Sequence, residues 1–501
     1  MPSKETDSTD KIAQLEALVA SLQIENKLLN QKLQLLLARL FGRKSEKLND
    51  KQLELLLGAL QGDDSGNDDE PPPPTGSKPG KPRGKRKPRM PEDLPTEEVV
   101  IEPDEVRDAP ENYQRIGQEV SEELDVVPPK YFRRRIIRPK YKSKLDRDMP
   151  PVIAPLPGRL IEGGYASAGI VADIAIKKYQ DHLPLYRQEQ ILKNRYGIDL
   201  SRQVMDDWMK AAADWLSPVY RLLRSNLQSR SYLQVDETPV KYCDKDGPPG
   251  GSQGYFWVYH DPWCKEILYE WHTGRGADCL KSVLDEFSGT VQCDGYVSYV
   301  SYSKDKDNID LAGCWAHARR KFFEARSQAP EVADWFLRQI GYLYAIEADL
   351  RKTKASAGDR QRARERSSRW ILTLLKKALQ LKQATYLPQS PMRTAIHYAL
   401  SHWDALTRYA QNGLIEIDNN GVENAIRPTA IGKKNWLFIG HPEAGQRSAI
   451  IYTIIENCRK LGINPYEYLK DVLSRLPSMK NTEVEKLLPL NWLNARTAKA
   501  A

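Results

Sequence analysis

The sequence has no run of about 18 apolar residues, the length that a membrane-spanning helix needs. Its first residues contain no apolar core of the kind found in a secretory signal peptide. The six cysteines are scattered and form no Cys-X-X-Cys pair, which argues against a disulfide framework or a zinc knuckle. These absences favour a protein of the reducing cytoplasm, and we expect no zinc in it.

The charge balance is nearly even for a chain of 501 residues. Lys and Arg number 75 and Asp and Glu number 67, which leaves a net charge of +8. This mild excess favours polyanionic partners but decides little alone. The length indicates several domains. Together with the helical and strand patterns described below, it predicts a multidomain α+β protein.

A heptad repeat runs through residues 11–41, within a first segment at 11–48. Leucine fills four consecutive d positions, with mostly aliphatic residues and one Asn at a, a pattern typical of a two-stranded coiled coil. The a residues are Ile12, Val19, Asn26, Leu33 and Leu40, and the d residues are Leu15, Leu22, Leu29 and Leu36. The repeat predicts a leucine-zipper homodimer or higher assembly; the alternative is one amphipathic helix that packs on its own domain.

Two further regions follow the heptads. Residues 49–91 change from acidic to proline-rich to basic, which is typical of a disordered linker. Residues 92–162 have short apolar runs at 99–101, 126–127 and 136–137, which predict a small β-rich module. Residues 130–144 carry eight basic residues interleaved with Tyr131, Phe132 and Tyr141, which suits either a nucleic-acid backbone or a solvated face.

Residues 163–225 have helical periodicity throughout. Helices are predicted at 165–179, 185–196 and 202–216. Gly197 lies in the short connection between the second and third helices, and Ser201 is the predicted N-cap of the third. This order is typical of a helix-turn-helix, although ordinary helical hairpins share it. A recognition helix here would present Arg202, Gln203 and Lys210 to DNA.

Strand patterns replace helical ones from residue 226. Strands are predicted at 232–241, 254–260, 265–272, 290–294 and 309–313, with helices at 277–287 and 315–325. A three-strand meander followed by alternating helix and strand is the element order of a ribonuclease-H-like α/β core. We divide this core into 226–330 and 412–445, separated by a helical insertion at 331–411. C-terminal helices at 447–461 and 465–476, with a tail, complete residues 446–501.

Three acids occupy matching places in that order. Asp236 lies inside the first strand, Asp294 ends the fourth, and Glu423 falls in the first turn of a predicted helix. Carboxylates that meet at one point require a cation, and oxygen ligands select Mg²⁺ or Mn²⁺. Two such ions would catalyse an in-line phosphoryl displacement, with Asp236 as the bridging ligand. The alternative is three unrelated acids.

Other acids compete for these roles. Glu237 should point to the opposite strand face from Asp236. Glu416 and Asp418 lie just before the predicted helix, and Asp418 is a candidate cap for it.

A further motif lies at 314–321. Cys314 and His317 have ligand spacing, but no second pair accompanies them. We therefore expect Cys314 and Trp315 in the core, with His317 lining the acidic site. The basic residues that follow suit either phosphate or a solvated face; they are Arg319, Arg320 and Lys321.

Several motifs together resemble the insertion-sequence-66 family of transposases, of the TnpC type. They are KYQDHLPLYRQE at 178–189, DETP at 236–239, CWAHARRKF at 314–322, DNN at 418–420, ENAIRP at 423–428, GKKNWLF at 432–438 and GINPYEYL at 462–469.

The resemblance implies a DDE transposase that binds terminal inverted repeats and catalyses metal-dependent strand cleavage and strand transfer. Asp236, Asp294 and Glu423 match its catalytic triad, and small accessory proteins of the same element are possible partners. The candidate DNA-contacting residues are Arg202, Gln203, Lys210, His317, Arg319, Arg320, Arg427, Lys433 and Lys434. One departure is that 92–162 lacks the cysteine pairs usual in the family. A catalytically silent DNA-binding regulator and a ribonuclease-H-type nuclease are the alternatives.

Overall fold

The structure is a computed structural model that describes residues 104–108, 110, 129–141, 150–244, 251–304 and 306–500. The predicted coiled coil at 11–48, the linker at 49–91 and the strands predicted at 99–101 and 126–127 lie outside the described residues. The chain divides into two compact units. The described residues up to Arg138 belong to the first unit, and those from Pro139 onward belong to the second. In the first unit, the described residues include one short helix, α1 (Asp104–Asp108).

The strand predicted at 136–137 is wrong. Ile136 and Ile137 have irregular backbone and are 51% and 75% exposed, and no strand of the described residues pairs with either of them. In the second unit, β1 (Lys140–Tyr141) pairs antiparallel with β2 (Val152–Ile153).

Three helices precede the sheet, as predicted, and their ends follow local capping chemistry. They are α2 (Ala168–Tyr179), α3 (Leu185–Tyr196) and α4 (Arg202–Gln228). Gly197 ends α3 with φ +64°, a left-handed conformation that favours glycine. The hydroxyl of Ser201 accepts a hydrogen bond from the Val204 N–H at 3.4 Å and caps α4. The predicted end of α4 at 216 is wrong, because buried Val219, Leu223 and Leu227 extend its apolar face.

A five-stranded sheet forms the centre of the second unit, and all five predicted strands are present within two residues at each end. They are β3 (Tyr232–Tyr242), β4 (Ser252–Asp261), β5 (Glu266–His272), β6 (Gly289–Gln292) and β7 (Ile309–Ala312). The order is β5-β4-β3-β6-β7. The meander β3-β4-β5 is antiparallel, whereas β6 is parallel to both β3 and β7.

Short helices follow the later strands of the sheet. They are α5 (Lys281–Leu284), α6 (Val297–Ser303) and α7 (Trp315–Glu324). The helix predicted at 277–287 is shorter than expected, because its first turn, Ala277–Leu280, is a 3₁₀ turn.

A helical region follows α7, where the insertion was predicted. It contains α8 (Pro330–Lys352), α9 (Ala357–Ala363), a π-helical turn at Arg364–Ser368, α10 (Arg369–Gln383), α11 (Pro391–Ser401) and α12 (Trp403–Arg408). Its apolar core is continuous with α7, where Phe322 stacks on Phe336 at 4.6 Å between ring centroids. This shared core fixes α7 and α11 against each other beside the sheet.

The last helices cover the sheet and complete the unit. They are α13 (Asn420–Trp436), α14 (Pro442–Lys460), α15 (Pro465–Arg475) and α16 (Pro489–Ala500). Helix α14 lies along the edge strand β5, where Thr453 and Asn457 accept hydrogen bonds from backbone N–H groups of β5 at 2.9 and 3.1 Å. The predicted start of α14 at 447 is wrong, because Pro442 begins the helix. Among the described helices, none is both long and apolar enough to cross a membrane.

Candidate active site

Asp236 lies in β3, the central strand of the sheet, on the face that α13 covers. Two residues before it, the Gln234 side-chain amide donates to the Asp418 carbonyl at 2.9 Å. Two residues after it, the Thr238 hydroxyl accepts from the Lys433 ammonium at 3.2 Å. Because alternate strand residues share a face, these contacts direct Asp236 toward α13 as well.

Asp294 follows β6, which pairs in parallel with β3. The register aligns Gln292 with Gln234, so Asp294 comes two residues after Gln292 just as Asp236 comes two residues after Gln234. Strand β6 ends at Gln292, and the prediction that Asp294 ends the strand is therefore wrong by two residues. One carboxylate oxygen of Asp294 accepts from the Tyr296 N–H at 2.8 Å, and Gly295 has φ +85° in this turn. These features fix Asp294 at the end of the strand.

Glu423 lies in the first turn of α13, as predicted. Gly421 lets this turn approach the sheet closely, because a Cβ at that position would lie 2.4 Å from the side-chain oxygen of Gln234. The ring of His260 would be 2.8 Å away. The predicted cap, Asp418, precedes the Asn419 cap position and accepts from the Asn420 N–H at 3.1 Å.

The three acids interact electrostatically. Burial, and to a lesser extent the charges of Glu237, Asp294 and Glu423, together raise the pKa of Asp236 to about 8. The Glu237 N–H donates to Asp236 at 2.9 Å and opposes this shift. Within the described part of the chain, no basic side chain forms an ion pair with Asp236 or Asp294. The site therefore favours a proton or an added cation.

Glu237 has a different environment, as strand alternation predicts. Arg275 Nε donates to its carboxylate at 2.8 Å, and the Tyr299 hydroxyl donates at 2.5 Å. Burial raises the pKa of Glu237, while Tyr299 and Arg275 lower it. Its oxygens already have donors, so Glu237 serves the packing of α6 on the sheet rather than an open site.

Glu416 is neutralised in the same way. Arg351 and Arg360 each approach one of its oxygens at 2.9 Å. Burial acts to raise the pKa of Glu416, but the two guanidinium groups lower it overall. Glu237 and Glu416 thus have basic partners, whereas Asp236, Asp294 and Asp418 form no ion pair with a basic residue in the described ranges.

His317 and Cys314 lie at the start of α7 beside Glu423. His317 Nδ1 is 3.7 Å from Glu423 Oε1, and both atoms are buried without a hydrogen-bond partner. Burial lowers the pKa of His317, although Glu423 and Asp294 raise it. Cys314 and Trp315 are buried, so the predictions of a core Cys-Trp pair and a site-lining histidine agree with these positions.

The ligand atoms of Cys314, His317 and Glu423 all lie within 4.8 Å of one another. In the described ranges, this is the only group of three such side chains so close together. The carboxylate oxygens of Asp236, Asp294 and Glu423 do not form a group as tight as this one, although the charges of Asp294 and Glu423 act on Asp236.

The basic residues predicted to contact DNA are distributed over two helices near the acids and a third helix elsewhere. Burial is the main cause that lowers the pKa of His317, and the nearby charges of Arg320 and Lys321 on α7 also lower it. Arg319 on the same helix is exposed. On α13, the exposed Arg427 and Lys434 continue the helical stripe that begins at Glu423.

The other predicted DNA contacts differ in setting. Lys433 is bound to β3, since its ammonium also donates to the Pro239 carbonyl at 3.0 Å. Arg202, Gln203 and Lys210 are exposed on α4. That helix packs on α14 and β5, at the opposite sheet edge from β7, so these three are not brought to the acids.

Sequence reasoning missed two residues that shape the site. The Tyr398 hydroxyl, from α11, donates to the Asp294 carbonyl at 2.7 Å and links the helical region to the strand end. No local pattern marks Tyr398, because its partner is 104 residues away. Gly421 had a signal, since Asn-Asn-Gly is a turn sequence, but its role in close packing was not evident.

Comparisons with known proteins match most of the chain. A family model described as Transposase IS66 family matches residues 163–447. Models described as IS66 C-terminal element and Transposase C of IS166 homeodomain match residues 453–490 and 28–99.

Two relatives are uncharacterized proteins of Sinorhizobium fredii. Protein y4jD is 33% identical over 82% of this chain and 83% of its own length. Protein y4qI is 34% identical over 79% of this chain and 75% of its own length.

The matched regions indicate a transposase, a class of nucleotidyl-transfer enzyme that acts on DNA and generally uses a divalent metal. The chain belongs to the insertion-sequence-66 (IS66) family of transposases.

Proposed function

We propose that the protein is a DDE transposase that binds the terminal inverted repeats of an insertion sequence and catalyses metal-dependent DNA strand cleavage and strand transfer. Its catalytic residues are Asp236, Asp294 and Glu423. The observation that carries this proposal is a set of interacting, partly buried acids from three separate elements, of which the two aspartates lack any basic partner among the described residues.

The sheet supports a ribonuclease-H-like core as part of this proposal. Its order β5-β4-β3-β6-β7, with an antiparallel meander and two parallel strands, places the first acid on the central strand. The second acid follows the neighbouring parallel strand, and a helical region separates β7 from α13, which carries the third. The three acids thus come together at one end of the β3–β6 pair in this proposal.

The residues fit divalent cations. Glu423 Oε1 is buried without a donor, and the pKa of Asp236, raised by burial and by the other acids, indicates excess negative charge. Oxygen ligands suit Mg²⁺ or Mn²⁺. When bound, two such ions would activate the attacking oxygen and stabilise the leaving one.

Each residue has a distinct task in the proposal. Asp236, on the central strand, would be the ligand shared by both ions, with Asp294 and Glu423 on either side. This assignment agrees with their open arrangement, since Asp294 and Glu423 need not approach each other if Asp236 lies between them. His317, whose pKa burial lowers, would line the site beside Glu423, 3.7 Å from its carboxylate.

Basic helices would position the DNA backbone. Arg320, Arg427 and Lys434 flank the acids and suit phosphate contacts, which fix register without reading sequence. Arg202, Gln203 and Lys210 would read the repeat from α4 as the recognition helix of a helix-turn-helix. The heptad repeat at 11–41 would dimerise the protein, and action on DNA would associate it with the nucleoid.

The test uses labelled element-end DNA with Mn²⁺ and the variants Asp236→Asn, Asp294→Asn and Glu423→Gln. We expect each to reduce nicking at least about a thousandfold while repeat binding persists, since a ligand is lost but not a DNA contact. Asp278→Asn is the matched control, because its side chain is 87% exposed.

The outcomes separate the alternatives. Full cleavage by one variant removes that residue from the site. Binding without cleavage by the wild-type protein indicates a DNA-binding regulator, and nicked products without joined ones indicate a nuclease.

A further inference from the structure

The start of α7 and the start of α13 bring three different ligand types together. The Cys314 sulfur, a ring nitrogen of His317 and a carboxylate oxygen of Glu423 lie within 4.8 Å of one another. We call these residues the Cys-His-Glu cluster. It shares Glu423 with the proposed catalytic acids but uses neither aspartate.

Two atoms of the cluster lack the partners that buried polar groups normally have. His317 Nδ1 and Glu423 Oε1 are buried, lie 3.7 Å apart and form no hydrogen bond. Their separation is too long for a direct hydrogen bond. A shared partner between the two atoms therefore explains them better than direct pairing does.

Cys314 supplies the third ligand from a protected position. Its side chain is fully buried at the N-cap position of α7. The backbone N–H groups of Asn419 and His317 lie at its sulfur, where they would stabilise the negative charge of a metal-bound thiolate.

Thiolate, imidazole and carboxylate together select a class of metal. Sulfur and nitrogen ligands suit Zn²⁺ and Co²⁺ in tetrahedral sites, whereas Mg²⁺ prefers oxygen ligands throughout. Three protein ligands leave a fourth position for water.

We propose that the Cys-His-Glu cluster binds one Zn²⁺-class ion and thereby removes Glu423 from the catalytic acids. Binding converts the thiol to a metal-bound thiolate and releases one proton to water, with no change in oxidation state. The inhibitory consequence rests on the proposed function, whereas the binding itself does not.

The first experiment titrates the full-length protein with Co²⁺ and records the thiolate-to-cobalt charge-transfer absorption. We expect the band in the wild-type protein and in Asp236→Asn. Cys314→Ser should abolish the band, and His317→Gln should weaken cobalt binding at least about tenfold, since each removes one ligand.

Cys293→Ser is the matched control, because Cys293 is also buried, lies next to Asp294 and has a thiol pKa raised by burial. It should retain the band. A band that survives in Cys314→Ser, that disappears in Cys293→Ser, or that is absent from the folded wild-type protein overturns the proposal. Circular dichroism of each variant identifies any that fails to fold, and His317→Gln then provides the decisive comparison.

The second experiment measures Zn²⁺ inhibition of Mn²⁺-dependent nicking. We expect Cys314→Ser to need at least about tenfold more Zn²⁺ for half inhibition than the wild-type protein. Equal inhibition of both overturns the inhibitory role. If the wild-type protein does not nick DNA, the proposed function fails, but the cobalt band still decides whether the cluster binds metal.

Discussion

Two groups of buried charge in this protein differ in how they are compensated. In the helical region, Glu347 is fully buried and binds Arg364 through two contacts of 2.7 Å. Arg360 joins Glu347 to Glu416 at 3.2 and 2.9 Å. At the sheet, Asp236 and Asp294 have no basic partner among the described residues. We call the first group the ion-pair network and the second, with Glu423, the acid site.

The difference distinguishes a structural use of charge from a functional one. In the ion-pair network each carboxylate meets guanidinium donors, and Arg364 also donates to the carbonyls of Tyr409 and Asn412 at 2.7 and 2.9 Å. Such a network is closed and leaves no ligand position. In the acid site the repulsion remains, which destabilises the metal-free protein but leaves room for a cation.

The largest effect should come from breaking the ion-pair network. Arg364→Met leaves buried Glu347 with only its 3.2 Å contact to Arg360, and it removes the donor to two backbone carbonyls. We therefore expect a loss of about 3–5 kcal/mol in the free energy of unfolding, measured with urea. The double variant Glu347→Gln with Arg364→Met should recover much of it. A loss below about 1 kcal/mol in the single variant would contradict this account of the network.

Gly421→Ala should damage the acid site and leave the ion-pair network intact. The added methyl would overlap Gln234 and His260, so α13 must shift, at a cost of about 2 kcal/mol. We expect nicking to fall at least about tenfold because Glu423 moves with the helix. Gly440→Ala is the control, since its Cβ would meet nothing within 4 Å. Normal activity in Gly421→Ala would show that the close approach is not required.

Asp236→Asn should stabilise the metal-free protein, the opposite sign from Arg364→Met. Burial and the neighbouring acids raise the folded-state pKa of Asp236 from 3.8 to about 8. Between these values the unfolded chain loses a proton that the folded protein keeps, so wild-type stability falls as pH rises, then levels off above pH 8.

The measurement is the difference in unfolding free energy between Asp236→Asn and wild type, in EDTA, across pH 5 to 8.5. We expect the advantage of the variant to grow by about 2 kcal/mol between pH 5 and pH 6.5, and to level off above pH 8. A difference that does not change with pH would show that the repulsion at Asp236 is already relieved.

The smallest effect should come from the exposed charges around the acid site. Lys434→Ala should weaken binding to any DNA about threefold and reduce the salt dependence of affinity by roughly one counterion. Fluorescence anisotropy at several salt concentrations measures both. Lys480→Ala, an exposed lysine outside the acid site, is the control, and equal losses in both variants would remove Lys434 from the DNA surface.

Local pattern in the sequence determined the elements. Alternating apolar residues predicted all five strands of the sheet, and capping residues such as Ser201 predicted where α4 begins. Element order made Asp236, Asp294 and Glu423 the candidates, family motifs around Asp236 and Glu423 supported them, and strand alternation separated Asp236 from Glu237. These features depend on neighbours in the chain, so local residues carry the information.

Tertiary structure alone decided which charges are compensated. Glu416 and Asp236 are both buried acids, yet only contacts with Arg351 and Arg360 show that Glu416 is neutralised. The same holds for the Cys-His-Glu cluster, whose members come from helices about a hundred residues apart in the sequence. The physical reason is that burial and Coulomb interactions depend on distance in space, which local sequence does not fix.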